Sequence, residues 1–233
     1  NAGKELSLAE CKKVIMSLSN RLSVVTITGG EPFTRADIID ICCLLDQNNK
    51  KLTVSLPTAG FMPERIEESL RTLLQKTRLT LRVTVSLDGL ASLHDSVRGY
   101  PGLFERATET IIRCIKLRRQ FPRFQTLSIL TTIGLENTKG LPDLIQYVKK
   151  YRGAFHKFQF VRSTATDVFG CDASFFSDFY ITDCDKPIPS KQLIDLIKHE
   201  LKQSDDRINA DKECAVLDMI QKTQEERRKY VSC

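Results

Sequence analysis

Apolar positions along the chain recur with two alternating periods. Ser7 and Glu10 form a capping box, after which Cys11, Val14, Ile15 and Leu18 return at helical spacing. A β-branched run over 23–28 predicts a strand. Thr34 with Asp37 predicts the start of a second helix, striped by Ile38, Ile41, Cys42 and Leu45, and "KLTVSLPT" predicts a second strand. Pro63 opens a third helix with Ile66, Leu70, Leu73 and Leu74 inward. The alternation continues through the strand "LTLRVTVSL", a helix carrying Phe104, Ala107, Ile111 and Ile115, and the strand "QTLSILTTI". A helix with Leu141, Leu144, Ile145 and Val148 and the strand "HKFQFVR" complete it.

Strands separated by helices cannot pair as hairpins, so they should run parallel with right-handed crossovers. The expectation is an α/β sheet of five strands, most of them apolar on both faces because helices cover one side and the other is interior. After Arg162 the pattern gives way to a long irregular segment reaching Pro189, followed by helices near 190–203 and 211–230. A segment of that kind, with Phe169, Phe175 and Phe176, either lines a cavity or packs on the surface.

Composition narrows the function classes. The 233 residues are 41% hydrophobic and 27% charged, within the range of one folded core. No apolar run has the length of a membrane span and the first residues lack the features of a signal peptide, so a cytoplasmic setting is the default expectation. The net charge of +6 is scattered over helical stretches such as "KLRRQ" and "EERRK", where acids interleave, which argues against nucleic acid as a partner. Eight cysteines without a signal sequence read as free thiols. Cys11, Cys42 and Cys114 fall on helix faces, whereas Cys171, Cys184, Cys214 and Cys233 lie in the less regular final third and show no CxxC spacing.

In parallel α/β folds ligands lie beyond the carboxyl ends of the strands. The unusual residues gather there: Gly29, Gly30 and Glu31 after the first strand, Thr58 and Gly60 after the second, Ser86 and Asp88 after the third, Thr131 and Thr132 after the fourth, and Arg162 and Ser163 after the fifth. Neither phosphate-cradling pattern, G-x-G-x-x-G or the P-loop, is present, and Glu31 beside the glycines would repel phosphate. An acid beside exposed backbone suits an amine, and the planar fork of Arg98 suits a carboxylate. Together they describe an amino-acid ligand. A Schiff-base lyase would instead need a lysine near that rim, and Lys51 and Lys157 are expected at strand beginnings, the opposite rim.

The stretches "VTITGGEPFTRADI", "SLDGLASLHDSVRGYPGLFERATETI" and "LTTIGLEN" resemble the radical S-adenosylmethionine (radical SAM) enzymes, and within them the SPASM-type subgroup with a C-terminal cluster-binding extension. The resemblance runs from about Glu5 to Arg162. It implies a partial (βα)6 TIM-like barrel of which strands 2 to 6 are present, over residues 1–165. Residues 166–233 would then lead toward an auxiliary-cluster module. It implies two cofactors, a 4Fe-4S cluster and S-adenosylmethionine, and reductive cleavage to a 5′-deoxyadenosyl radical that abstracts a substrate hydrogen. Gly29, Gly30, Glu31 and Pro32 would receive the methionyl amine, Ser86 the ribose and carboxylate region, and Arg98 the methionyl carboxylate. Thr132 and Val161 would flank the adenosine.

By the same resemblance the substrate is a peptide, a protein side chain or a small molecule, and the electron donor is flavodoxin or ferredoxin. The three cluster cysteines of the family, C-x-x-x-C-x-x-C, do not occur in the chain, and their strand and loop are expected upstream of Asn1. Cys233 lies where the first auxiliary-cluster ligand would be expected. Ala59 stands where many relatives have Asn. The competing reading is a binding protein that keeps the barrel and the nucleotide pocket without the cluster.

Overall fold

A computed structural model describes residues 5–18, 22–134, 136–160 and 191–202, together with Cys214 and Asp218. Helix α1 (Leu8–Ser17) begins at the expected capping box: Ser7 N–H donates to Glu10 Oε2 at 2.8 Å and Glu10 N–H to Ser7 Oγ at 3.3 Å. Its burial is narrower than its periodicity implies, since Ile15 is buried while Val14 and Leu18 are exposed.

The remaining elements are β1 (Val24–Thr26), α2 (Ile38–Asn48), β2 (Thr53–Thr58), α3 (Pro63–Lys76), β3 (Thr80–Ser86) and α4 (Ser92–Arg98), then α5 (Leu103–Gln120), β4 (Phe124–Ile133), α6 (Leu141–Val148), β5 (Phe155–Phe160) and α7 (Lys191–Lys202). Thr34 does not start α2. It ends a short 3-10 turn, Pro32–Thr34, where its hydroxyl donates to Glu31 O at 2.7 Å, and Asp37 precedes α2 without a side-chain cap. Helix α4 is an addition to the expected elements, because "SLDGL" reads locally as a turn.

The five strands form one sheet in sequence order, each pairing in parallel with the next. This is the expected α/β arrangement of a partial barrel. Its faces differ from the expectation. Val54, Leu56, Val83, Val85, Leu127 and Ile129 are buried in register against the helices. The intervening positions point the other way and are mixed: Ser55, Arg82, Thr84, Ser86, Thr126 and Thr132 are polar, most of them half-buried, beside the apolar Pro57, Leu130 and Phe155. A sheet packed on both sides would carry mostly apolar residues there; hydroxyls, an arginine and partial exposure mark a wetted inner face.

The helix-side core is continuous from α1 to α7. On α7, Ile194, Ile197 and Leu201 are buried where the helix meets α6 and β5. Arg118 closes the far end of the sheet, donating to Gly153 O at 2.8 Å and to Gln125 O at 3.1 and 3.2 Å, so "KLRRQ" is more than a solvated face. No helix among the described residues is long and apolar enough to cross a membrane.

Candidate functional site

Two polar assemblies occupy the carboxyl ends of the strands. The first is built on Glu31. Its Oε2 accepts from Thr58 Oγ1 and from Ala59 N–H, both at 2.8 Å, and its Oε1 accepts from Phe33 N–H at 3.3 Å. Thr58 Oγ1 in turn accepts from Gly60 N–H at 2.9 Å. Glu31 therefore braces the β1 end against the β2 end, directly after the two glycines. A Cβ added at Gly29 or Gly30 would meet no atom within 4 Å. Their backbone faces open space rather than packed protein, which is the room a ligand approaching the main chain needs.

The second assembly is a knot around Asp88, which is 1% exposed. Its Oδ1 accepts from Thr132 N–H at 2.7 Å and its Oδ2 accepts from Arg98 Nε. Its backbone N–H donates to His94 Nδ1 at 3.0 Å, and its carbonyl accepts from Asn137 Nδ2 at 2.7 Å. Asn137 also holds Thr132 O at 2.8 Å and accepts from Gly134 N–H at 2.9 Å. One buried residue thus joins the ends of β3 and β4 to α4 and to the turn before α6.

This network explains the spacing of "SLDGLASLHDSVRG" residue by residue. His94 lies on the first turn of α4, fully buried, with Nδ1 as the acceptor and Nε2 therefore carrying the proton; Nε2 has no protein partner. Burial pushes its pKa below the ordinary histidine value. Asp95 turns outward from α4 to accept from Phe104 N–H at 2.8 Å and Gly102 N–H at 2.6 Å. It caps α5, and those N–H donors, Phe104 first, lower its pKa. Arg98 closes α4, and Gly99 leaves the helix in the left-handed region at φ 66°.

The side chain of Arg98 is 31% exposed and its Nε is held by Asp88; among the described residues its two terminal nitrogens have no protein partner. An anchored guanidinium with an open end is suited to a carboxylate. Ser86, the last residue of β3, lies on the inner face opposite Leu130, and Thr132 follows two residues further along β4, accepting from Gln159 Nε2 at 3.1 Å. The structure thus places Gly29, Gly30, Glu31 and Pro32 on the β1 rim, and unites Arg98 and Thr132 through Asp88. Val161, Cys233, Arg162 and Ser163 lie outside the described residues. Among those described, no group of three or more His, Cys, Asp or Glu could hold a metal ion.

His94 and Asn137 are missing from the residues singled out by sequence, although both stand inside the quoted motifs. Lys157 requires a correction. It is the third residue of β5, yet it pairs with Leu130, which pairs with Ser86 at the end of β3. The stagger of β5 raises it to the level of the ligand rim.

The sequence model of the Radical SAM superfamily matches residues 1–148. The AdoMet-dependent heme synthase of Methanosarcina barkeri (strain Fusaro / DSM 804) is 32% identical over 159 residues, 66% of this chain and 42% of that protein. The Fe-coproporphyrin III synthase of the same organism is 29% identical over 160 residues, 65% of this chain and 36% of that protein. The GTP 3′,8-cyclase of Helicobacter pylori (strain HPAG1) is 25% identical over 151 residues, 64% of this chain and 43% of that protein. The chain spans less than half the length of these curated relatives. Among solved structures, hexahistidine-tagged anSMEcpe with bound AdoMet matches at a TM-score of 0.51 and 18% identity, over 82% of this chain and 50% of that one. Streptococcus suis SuiB bound to S-adenosylmethionine matches at 0.50 and 14%, over 70% of this chain and 36% of that one. These two likenesses concern the fold.

Proposed function

The chain belongs to the radical SAM superfamily, and from that premise we propose that it binds S-adenosylmethionine across the rim formed by β1, β3, α4 and β4. The family's cofactors are a 4Fe-4S cluster and S-adenosylmethionine, which together supply a 5′-deoxyadenosyl radical that takes a hydrogen atom from a substrate. The described residues fit the second of these. They contain no ligand set for the first.

The observation that carries the reading is the Asp88-anchored, open-ended guanidinium of Arg98. It would take the methionyl carboxylate. The open backbone of Gly29 and Gly30, next to Glu31 and the turn at Pro32, would receive the amine. Ser86 would border the ribose, and Thr132 the adenosine together with Val161. Burial of Asp88 keeps this arrangement rigid, so orientation is set before the ligand arrives.

The substrate we favour is a peptide or protein side chain, in keeping with the resemblance to the SPASM-type subgroup, and the electron donor a flavodoxin or ferredoxin. A small molecule is the second reading, supported by relatives named for heme, Fe-coproporphyrin III and GTP. Residues 166–233 would connect to the auxiliary module, and the setting is cytoplasmic.

The test is 5′-deoxyadenosine formation by the complete protein, reconstituted with iron and sulfide without oxygen and reduced with dithionite. Wild type should form it and Arg98→Met should not. Bound S-adenosylmethionine without any 5′-deoxyadenosine would support the binding-protein reading instead.

A further inference from the structure

The inner face of the sheet has a sign. Its strand positions carry hydroxyls, a glutamine, the apolar Val24, Pro57, Leu130 and Phe155, and two cations, Arg82 and Lys157, and no Asp or Glu among the described residues. The direction of Lys157 follows from its neighbours. His156 points to the helix side, where Nε2 lies 2.9 Å from Thr131 Oγ1, and Gln159 points inward to Thr132, so Lys157 between them faces inward. It stands in one row with Leu130 and Ser86.

Lys157 is half-buried and has no carboxylate partner among the described residues; the ring of Phe155 lies 5.6 Å from its Nζ. Arg82, exposed nearer the start of β3 on the same face, likewise lacks an acid among the described residues and donates to Gln125 Oε1 at 2.8 Å. A partly buried ammonium without a counter-ion is costly to keep, and a face whose charged side chains are all cationic draws anions. A ring beside the charge attracts the ammonium form, which suits ion recognition better than attack by a neutral amine.

We propose that Lys157 receives an oxyanion of the substrate, a carboxylate or a phosphate, on the inner face level with Ser86. This rests on the reading that the same rim holds S-adenosylmethionine. The substrate class that follows is an anionic molecule, or a peptide presenting an acidic side chain or its C-terminus.

The experiment uses the complete, reconstituted protein with two probes, tricarballylate for carboxylates and inorganic pyrophosphate for phosphates. Their binding is measured by saturation-transfer NMR, and S-adenosylmethionine binding is measured on the same samples. At least one probe should bind wild type, Lys157→Gln should weaken it about tenfold or more, and Lys157→Arg should retain it. All three proteins should bind S-adenosylmethionine alike. Which probe binds identifies the oxyanion. Probe binding that is absent from wild type, or indifferent to Lys157→Gln while S-adenosylmethionine still binds, overturns the inference. Lys157-dependent probe binding with no S-adenosylmethionine bound overturns the rim reading and leaves the oxyanion site standing.

Discussion

Replacing Asp88 should cost more than its single ion pair suggests. In Asp88→Ala the Thr132 N–H, held at 2.7 Å in a site that is 1% exposed, loses its acceptor. An orphaned buried donor costs about 1–3 kcal/mol. The Arg98 side chain is 31% exposed, so water takes over much of its lost pairing and the full penalty for a broken buried pair does not apply. The sum is about 2–3 kcal/mol. A chain of 233 residues loses roughly 2–4 °C per kcal/mol, so Tm should fall by roughly 4–12 °C. Asp88→Asn keeps the volume and one acceptor for Thr132 but sets an amide donor against Arg98 Nε. It should cost about 1 kcal/mol while releasing Arg98. Thermal unfolding followed by circular dichroism, beside S-adenosylmethionine binding, separates the two effects. Asp88→Asn should weaken binding out of proportion to its small change in Tm. A Tm within a degree of wild type for Asp88→Ala would refute the reasoning.

Two further outcomes follow from burial and spacing. Burial pushes the His156 pKa down to about 3 from 6.5, and moves His94 in the same direction. The unfolded chain therefore takes up these protons first. Stability should be complete above pH 6.5 and fall as pH drops toward 3, by up to about 1.4 kcal/mol per unit for each group. Urea denaturation at pH 7, 6 and 5 should show that slope, and His156→Gln should flatten it; an unchanged slope contradicts the assignment. Gly60→Ala should lower Tm by several degrees, because φ is +80° and the new Cβ would lie 3.0 Å from Ala107 Cα and 3.1 Å from Val85 Cγ1. Unaltered melting would show that the close approach to α5 is absent.

The alternation of strand and helix was legible because buried stripes at helical spacing and β-branched runs are local signals; Ile66, Leu70 and Leu73 on α3 sit where their spacing puts them. The two-faced character of the strands was written in "TLRVTVS" but hidden by the expectation of a doubly buried sheet, which holds only when no cavity lies on the second face. Helix α4 escaped notice because Asp88 and Gly89 are turn formers by local chemistry, while the bonds that make them a helix approach join residues 44 and 49 positions apart. Asn137 was missed for the same reason, and His94 because a histidine on a short, unexpected helix gives no local sign of capping a backbone N–H six residues earlier. The level of Lys157 depends on the stagger of β5 against β4, a tertiary property with no local trace. The rim residues were found because glycine, acid and arginine at strand ends are unusual in themselves.

Gly30→Ala tests the central claim most directly. The added methyl meets no protein atom within 4 Å, so it should leave the fold and its Tm unchanged. Equilibrium dialysis of S-adenosylmethionine against the reconstituted protein should nevertheless show affinity reduced about tenfold or more, the equivalent of about 1.4 kcal/mol, because the methyl fills the space the ligand uses. Wild-type affinity in a normally folded Gly30→Ala protein would mean that the ligand does not lie against the glycine rim.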